Sequence, residues 1–148
     1  MPVKPVAAAL AAACALLAAP FASAQDATAP LVTVVTAQSP QTQLMAMVLT
    51  MQAAEQGHAV DMLLCGPAGD IALADAPESA TAGQPPRDAS PQGLMQAIIA
   101  RGGTVRVCAI YLPGKGLSAD ALIDGVSVAQ PPAQAAAMLR PEAIVWSF

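Results

Sequence analysis

Short β-branched runs alternate with longer mixed stretches along this chain. Leu31 to Ala37 (LVTVVTA) has the length and composition of a buried strand. Ser39-Pro40 then supplies an N-cap and a proline in the first helical position, and the helix through LMAMVLTMQAAEQ stops at Gly57, a natural C′ residue. His58 to Cys65 (HAVDMLLC) reads as a second strand, followed by a Gly66-Pro67 break and a short helix around Ala68 to Ala76. Residues 76–91 are polar and rich in Pro, Ala and Ser, which predicts a flexible surface loop long enough to act as a lid or a partner contact. Ser90-Pro91 repeats the capping device ahead of a helix from Gln92 to Arg101, closed by Gly102-Gly103. Thr104 to Ile110 is the third strand. The turn Pro113-Gly114-Lys115-Gly116 follows, then Ser118 capping a short helix through Ile123. Val126 to Ala129, a helix from Pro131-Pro132 to Leu139, and Ala143 to Phe148 complete the pattern. Strands that alternate with helices predict an α/β fold: a three-layer α/β/α sandwich around a mainly parallel five-stranded sheet.

The segment before the first strand has a different pattern. Lys4 is the only charge before Asp26, Val6 to Ala19 is an unbroken apolar run, and Pro20 precedes Phe21-Ala22-Ser23-Ala24. Ala22 and Ala24 form the A-x-A pattern of signal-peptidase sites, so residues 1–24 read as a cleavable signal peptide and 25–148 as the working domain. The apolar run falls short of the roughly 20 residues that a membrane span needs. Leu10-Ala11-Ala12-Ala13-Cys14 offers lipidation at Cys14 as an alternative, but with an unusually short apolar run before it. The expected location is periplasmic or secreted, with no membrane association after cleavage.

Composition narrows the partners. The chain carries 6 basic residues against 10 acidic ones. One of the basic residues, Lys4, leaves with the signal, and the rest form no cluster, which argues against nucleic acid and anionic membranes. The aromatic residues are Phe21, Tyr111, Trp146 and Phe148, so the core must be built from Val, Ile, Leu, Met and Ala, as suits helices packed on a parallel sheet.

Candidate chemistry centres on two cysteines. Ligands of open parallel sheets bind beyond the carboxyl ends of the strands. Cys65 closes the second strand and Cys108 lies near the end of the third. Their spacing excludes a C-x-x-C redox motif and local zinc-finger geometry. If their strands are neighbours, the thiols come within range of a disulfide; the alternative reading, neighbours or not, is that each is a small buried hydrophobe. Cys108 leads into the glycine-flanked turn bearing Lys115, a cation able to favour a thiolate, and the turn offers backbone N–H groups for an anion.

The order of these features resembles the DsrE/DsrF-like family, which includes YchN-like and sulfurtransferase-type proteins. The resemblance spans Leu31 to Phe148. It rests on LVTVVTA, on Ala53-Ala54-Glu55-Gln56-Gly57 before HAVDMLLCGPAG, and on Gly102 to Cys108 followed by Gly114-Lys115-Gly116-Leu117 and Leu122-Ile123-Asp124-Gly125-Val126. It implies a persulfide-accepting cysteine at Cys108, with Cys65 and Lys115 as supporting residues, a sulfur donor and acceptor protein as partners, and a homo-oligomer, trimeric or hexameric. The alternative function is a non-catalytic oligomeric interaction or small-ligand module in which both cysteines are structural. Neither reading calls for a cofactor or a metal.

Other signals are assigned to structure. Met45, Met47, Met51 and Met62 read as core filling rather than a copper(I) site, because Met45 and Met47 point to different helix faces. His58, the only histidine, sits at a helix–strand junction away from the expected site and offers no partner for a catalytic triad. Asp61, Asp70, Asp75, Asp120 and Asp124 show no pairing that marks a carboxylate catalyst, and no glycine-rich nucleotide fingerprint follows the first strand.

Overall fold

The computed structural model describes Met1 and residues 28–148. The segment read as a signal peptide and the lipidation motif at Cys14 lie outside the described residues, apart from Met1. Five strands form one sheet: β1 (Leu31–Val35), β2 (Val60–Leu64), β3 (Thr104–Val107), β4 (Val126–Val128) and β5 (Ile144–Ser147). Every pairing is parallel, in the order β4-β3-β2-β1-β5. The α/β architecture therefore follows the alternation read from the sequence.

The helices begin and end where local chemistry dictates. In α1 (Pro40–Glu55) the Ser39 side chain accepts from the Thr42 N–H, and in α3 (Pro91–Ala100) Ser90 Oγ accepts from the Gly93 N–H at 3.1 Å. Both helices end before glycines in the left-handed region, Gly57 at φ 90° and Gly102 at φ 89°, where a side chain would be strained. The two helices pack together on one face of the sheet. They bury Leu31, Val35, Met62, Leu64, Val105 and Val107 against Met47, Met51, Met95 and Ile98. A buried hydrogen bond of 2.9 Å between the Thr33 and Thr50 hydroxyls ties α1 to β1 within this apolar layer.

The other face is thinly covered. Its helix, α5 (Pro131–Met138), has only eight residues and lies over an Asp61–Arg106 ion pair. Val34 and Leu63 stay half-buried there, and Val145 is exposed.

Four local expectations need correction. Residues 76–91 are not a free loop: Glu78–Thr81 forms α2, Ala80 is buried, and Gln84 pairs with Ala89 through a 2.9 Å backbone bond. The alanine methyl gives this polar segment an anchor in the core beside α3. Ser118 does not cap a helix. The segment is a 3₁₀ turn, Ala119–Ala121, and the Ser118 hydroxyl beside Asp120 holds that carboxyl below its usual range. The third strand ends at Val107 rather than Ile110, because Tyr111 is buried and starts a helical turn, α4 (Tyr111–Gly114). Met45 is 51% exposed, so core filling describes Met47, Met51 and Met62 but not Met45. Met45 and Leu49 on α1 are both exposed, and Leu49 lines a small cavity with Leu31, Ile144 and Trp146 at the β1–β5 edge.

Candidate functional site

The register of β2 against β3 builds the site. Leu64 pairs with Val107, so the next residues, Cys65 and Cys108, emerge side by side at the carboxyl edge of the sheet. Backbone bonds continue the ladder through both: Cys65 N–H donates to Val35 C=O and Cys108 N–H to Leu64 C=O, each at 2.9 Å. The Cα atoms stand 5.1 Å apart and the two sulfurs are bonded as a disulfide, within the roughly 4.4–6.8 Å usual for such a bridge. The reading of each cysteine as a separate buried hydrophobe is thereby set aside.

Beyond the bridge the chain turns away on both sides and leaves a cleft of about 600 Å³. Its walls include Gln38 after β1, Cys65-Gly66-Pro67 and Asp70 after β2, and Cys108, Ile110, Tyr111 and Lys115 after β3. The three residues singled out in the sequence, Cys65, Cys108 and Lys115, thus share one cavity. Both cysteines are half-buried, and Ile110 stands at the rim with 81% exposure.

Asp70 and Tyr111 are the site residues that sequence reasoning missed. Asp70 lies in a 3₁₀ segment, Gly66–Ala72, and accepts the Tyr111 hydroxyl at 2.5 Å as well as the Lys115 ammonium. The Lys115 Nζ also stands 5.5 Å from the centre of the Tyr111 ring. Burial first, and then the Asp70 carboxylate, push the Tyr111 phenol well above its usual range. The signal that would have found both is their position: each follows a strand's carboxyl end, where the sheet collects its ligands. Lys115 enters the cleft already paired, so its charge is shared with Asp70.

The 3₁₀ segment is held from below. Gln92 Nε2 donates to the carbonyls of Ile71 and Leu73, at 2.9 and 2.8 Å. Gly69 leaves room for the Tyr111 ring, which a Cβ at that position would strike. The glycine turn around Lys115 does not offer an anion cradle. The N–H groups of Gly114, Lys115, Gly116 and Leu117 all donate to carbonyls of Ile110, Tyr111, Leu112 or Pro113. A helical turn consumes the donors that an open loop would expose.

His58 lies at the start of β2, the sheet end opposite the cleft, with Nδ1 2.6 Å from the Ala29 carbonyl. Asp120 and Asp124 are exposed. Among the described residues no three His, Cys, Asp or Glu side chains group as metal ligands.

Chemically, the arrangement presents a disulfide at the wall of a largely apolar cleft, with the Lys115–Asp70 ion pair and the buried Tyr111 phenol nearby. No family model matches the sequence, and no curated protein matches it. Among solved structures, the YchN protein from E. coli superposes with a TM-score of 0.64 at 20% identity, covering 80% of this chain and 98% of that one. A protein of unknown function from Methanobacterium thermoautotrophicum, MTH1491, superposes with a TM-score of 0.56 at 13% identity, covering 80% and 96%. At these identities the likeness is one of fold, and that fold is DsrE-like.

Proposed function

We propose that this chain is an exported DsrE-like protein that binds or transfers sulfane sulfur on Cys108. The observation that carries the reading is the place of the Cys65–Cys108 bridge. It lies in the cleft wall with both cysteines half-buried, where small molecules and partner thiols reach it, rather than deep in the core. Reduction frees Cys108. Its thiolate then attacks the outer sulfur of a donor persulfide, R–S–SH, forms Cys108–S–SH and releases R–S⁻. Lys115, ion-paired with Asp70, gives the same cleft a polar side.

A leader at residues 1–24 would deliver the protein to an oxidising compartment, where the bridge is the resting state and an external dithiol opens it. The resemblance to sulfur-relay proteins further supports a trimeric or hexameric assembly. Exposed Met45, Leu49, Ile144 and Val145 leave apolar surface beside the edge strand β5 for such contacts. Light scattering of residues 25–148 tests the assembly.

The carrier reading is tested by intact mass spectrometry of reduced protein after exposure to a persulfide donor. The expected result is a gain of about 32 Da per sulfur, absent in Cys108→Ser. No gain in reduced wild-type or Cys65→Ser protein, and no sulfide released by either, overturns the reading and leaves the bridge as a structural element of an interaction or ligand-binding module.

A further inference from the structure

We infer that Cys65 is the resolving thiol of this site, and that the protein reduces sulfane sulfur to sulfide rather than only passing it on. The inference rests on the proposed persulfide at Cys108 and adds a second step to it.

Strand register holds the two cysteines as neighbours with Cα atoms 5.1 Å apart, both on backbone that is hydrogen-bonded into the sheet edge. The Cα separation lies within the range that a disulfide spans, so Cys65 Sγ is within reach of Cys108 Sγ. In a Cys108 persulfide that same Sγ is the inner sulfur, while the outer sulfur is one bond further out. Cys65 therefore meets the inner sulfur at close range as an intramolecular nucleophile.

The step balances without another participant. The Cys65 thiolate attacks Cys108 Sγ, the Cys65–Cys108 bond forms, the S–S bond to the outer sulfur breaks, and HS⁻ leaves. The sulfane sulfur gains two electrons and the two cysteine sulfurs together lose two. The product is the disulfide seen in the structure. A dithiol then reduces it by two successive exchanges, becoming a disulfide itself and returning both cysteines to thiols.

The cleft also bears on the substrate class. Its volume of about 600 Å³ and its wall of Gly66, Pro67, Ile110 and the Tyr111 ring admit a low-molecular-weight persulfide. The Lys115–Asp70 pair forms the polar side of the cleft, next to the Tyr111 ring.

A single-turnover experiment tests the step. Reduced, desalted wild-type protein is mixed with one equivalent of glutathione persulfide, and sulfide and intact mass are followed together. The expected course is a transient gain of about 32 Da, then its loss with one sulfide released per disulfide formed. Cys65→Ser retains the added sulfur on Cys108, and its sulfide release falls by about tenfold or more. The wild-type time course stands by itself if that variant does not fold. A persistent sulfur adduct on the wild-type protein, with no disulfide and no sulfide, overturns the resolving role while leaving Cys108 as a carrier. If neither protein takes up sulfur, the carrier reading fails and this inference falls with it.

Discussion

The carboxylate of Asp70 accepts the hydroxyl of Tyr111 at 2.5 Å across 41 residues of sequence. This contact clamps the segment after β2 to the segment after β3, one on each side of the disulfide. With the Lys115 ammonium on the same carboxylate, it ties the cleft's cation to its buried phenol. The shape of the cleft therefore depends on residues that do no sulfur chemistry themselves.

Tyr111 is the only tyrosine, so its ionisation can be read directly from tyrosinate absorbance. Burial and the neighbouring Asp70 raise its pKa, so a spectrophotometric titration should show no ionisation of the folded protein near the ordinary value of about 10. Because the folded-state pKa is raised, the stability it contributes is complete below that ordinary value and is lost as pH rises beyond it toward the folded value. Asp70→Asn removes the charge and should bring the midpoint down, though burial keeps it above a free tyrosine. An unshifted midpoint in the wild-type protein would contradict the buried contact.

Gly69→Ala tests the packing of the clamp. The new methyl would strike the Tyr111 ring, which must move or be squeezed out. A loss of about 1–3 kcal/mol is expected from overpacking. Denaturant unfolding followed by the single Trp146 measures it, and a variant as stable as wild type would show that the ring is not held there.

Gln92 should matter more than its place on the first turn of α3 implies. Its amide donates to two carbonyls, Ile71 and Leu73, of the segment that carries Asp70. Gln92→Ala is expected to cost about 1–2 kcal/mol and to speed amide exchange in residues 70–74. Protection unchanged in that segment would remove Gln92 from the support of the site.

The bridge closes a loop across a separation of 43 residues. A loop of that length is associated with about 4 kcal/mol of stabilisation in the chain-entropy description. Reduction, or the double variant Cys65→Ala/Cys108→Ala, should lower the unfolding free energy by up to about that amount while leaving the sheet folded. Circular dichroism with a denaturant titration checks both halves. Loss of the folded state on reduction at ambient temperature would mean that the thiols never act on a folded scaffold.

The sequence by itself determined the alternation of strands and helices and most helix boundaries. These depend on local chemistry: β-branched runs favour extended backbone, Ser39-Pro40 and Ser90-Pro91 start helices, and Gly57 and Gly102 end them. It also marked Cys65, Cys108 and Lys115, because strand ends and glycine turns are visible one segment at a time. Local chemistry did not predict that Ala80 would draw part of residues 76–91 into the core, or that Tyr111 would close its strand early. Only the tertiary structure decided that β2 lies beside β3 with Leu64 opposite Val107, which joins Cys65 to Cys108. The same holds for Asp70, which has no charged or aromatic partner near it in sequence and acquires two when the strand ends meet. Register and neighbour choice arise from hydrogen bonds and packing between distant segments, so no stretch of the chain read alone contains them.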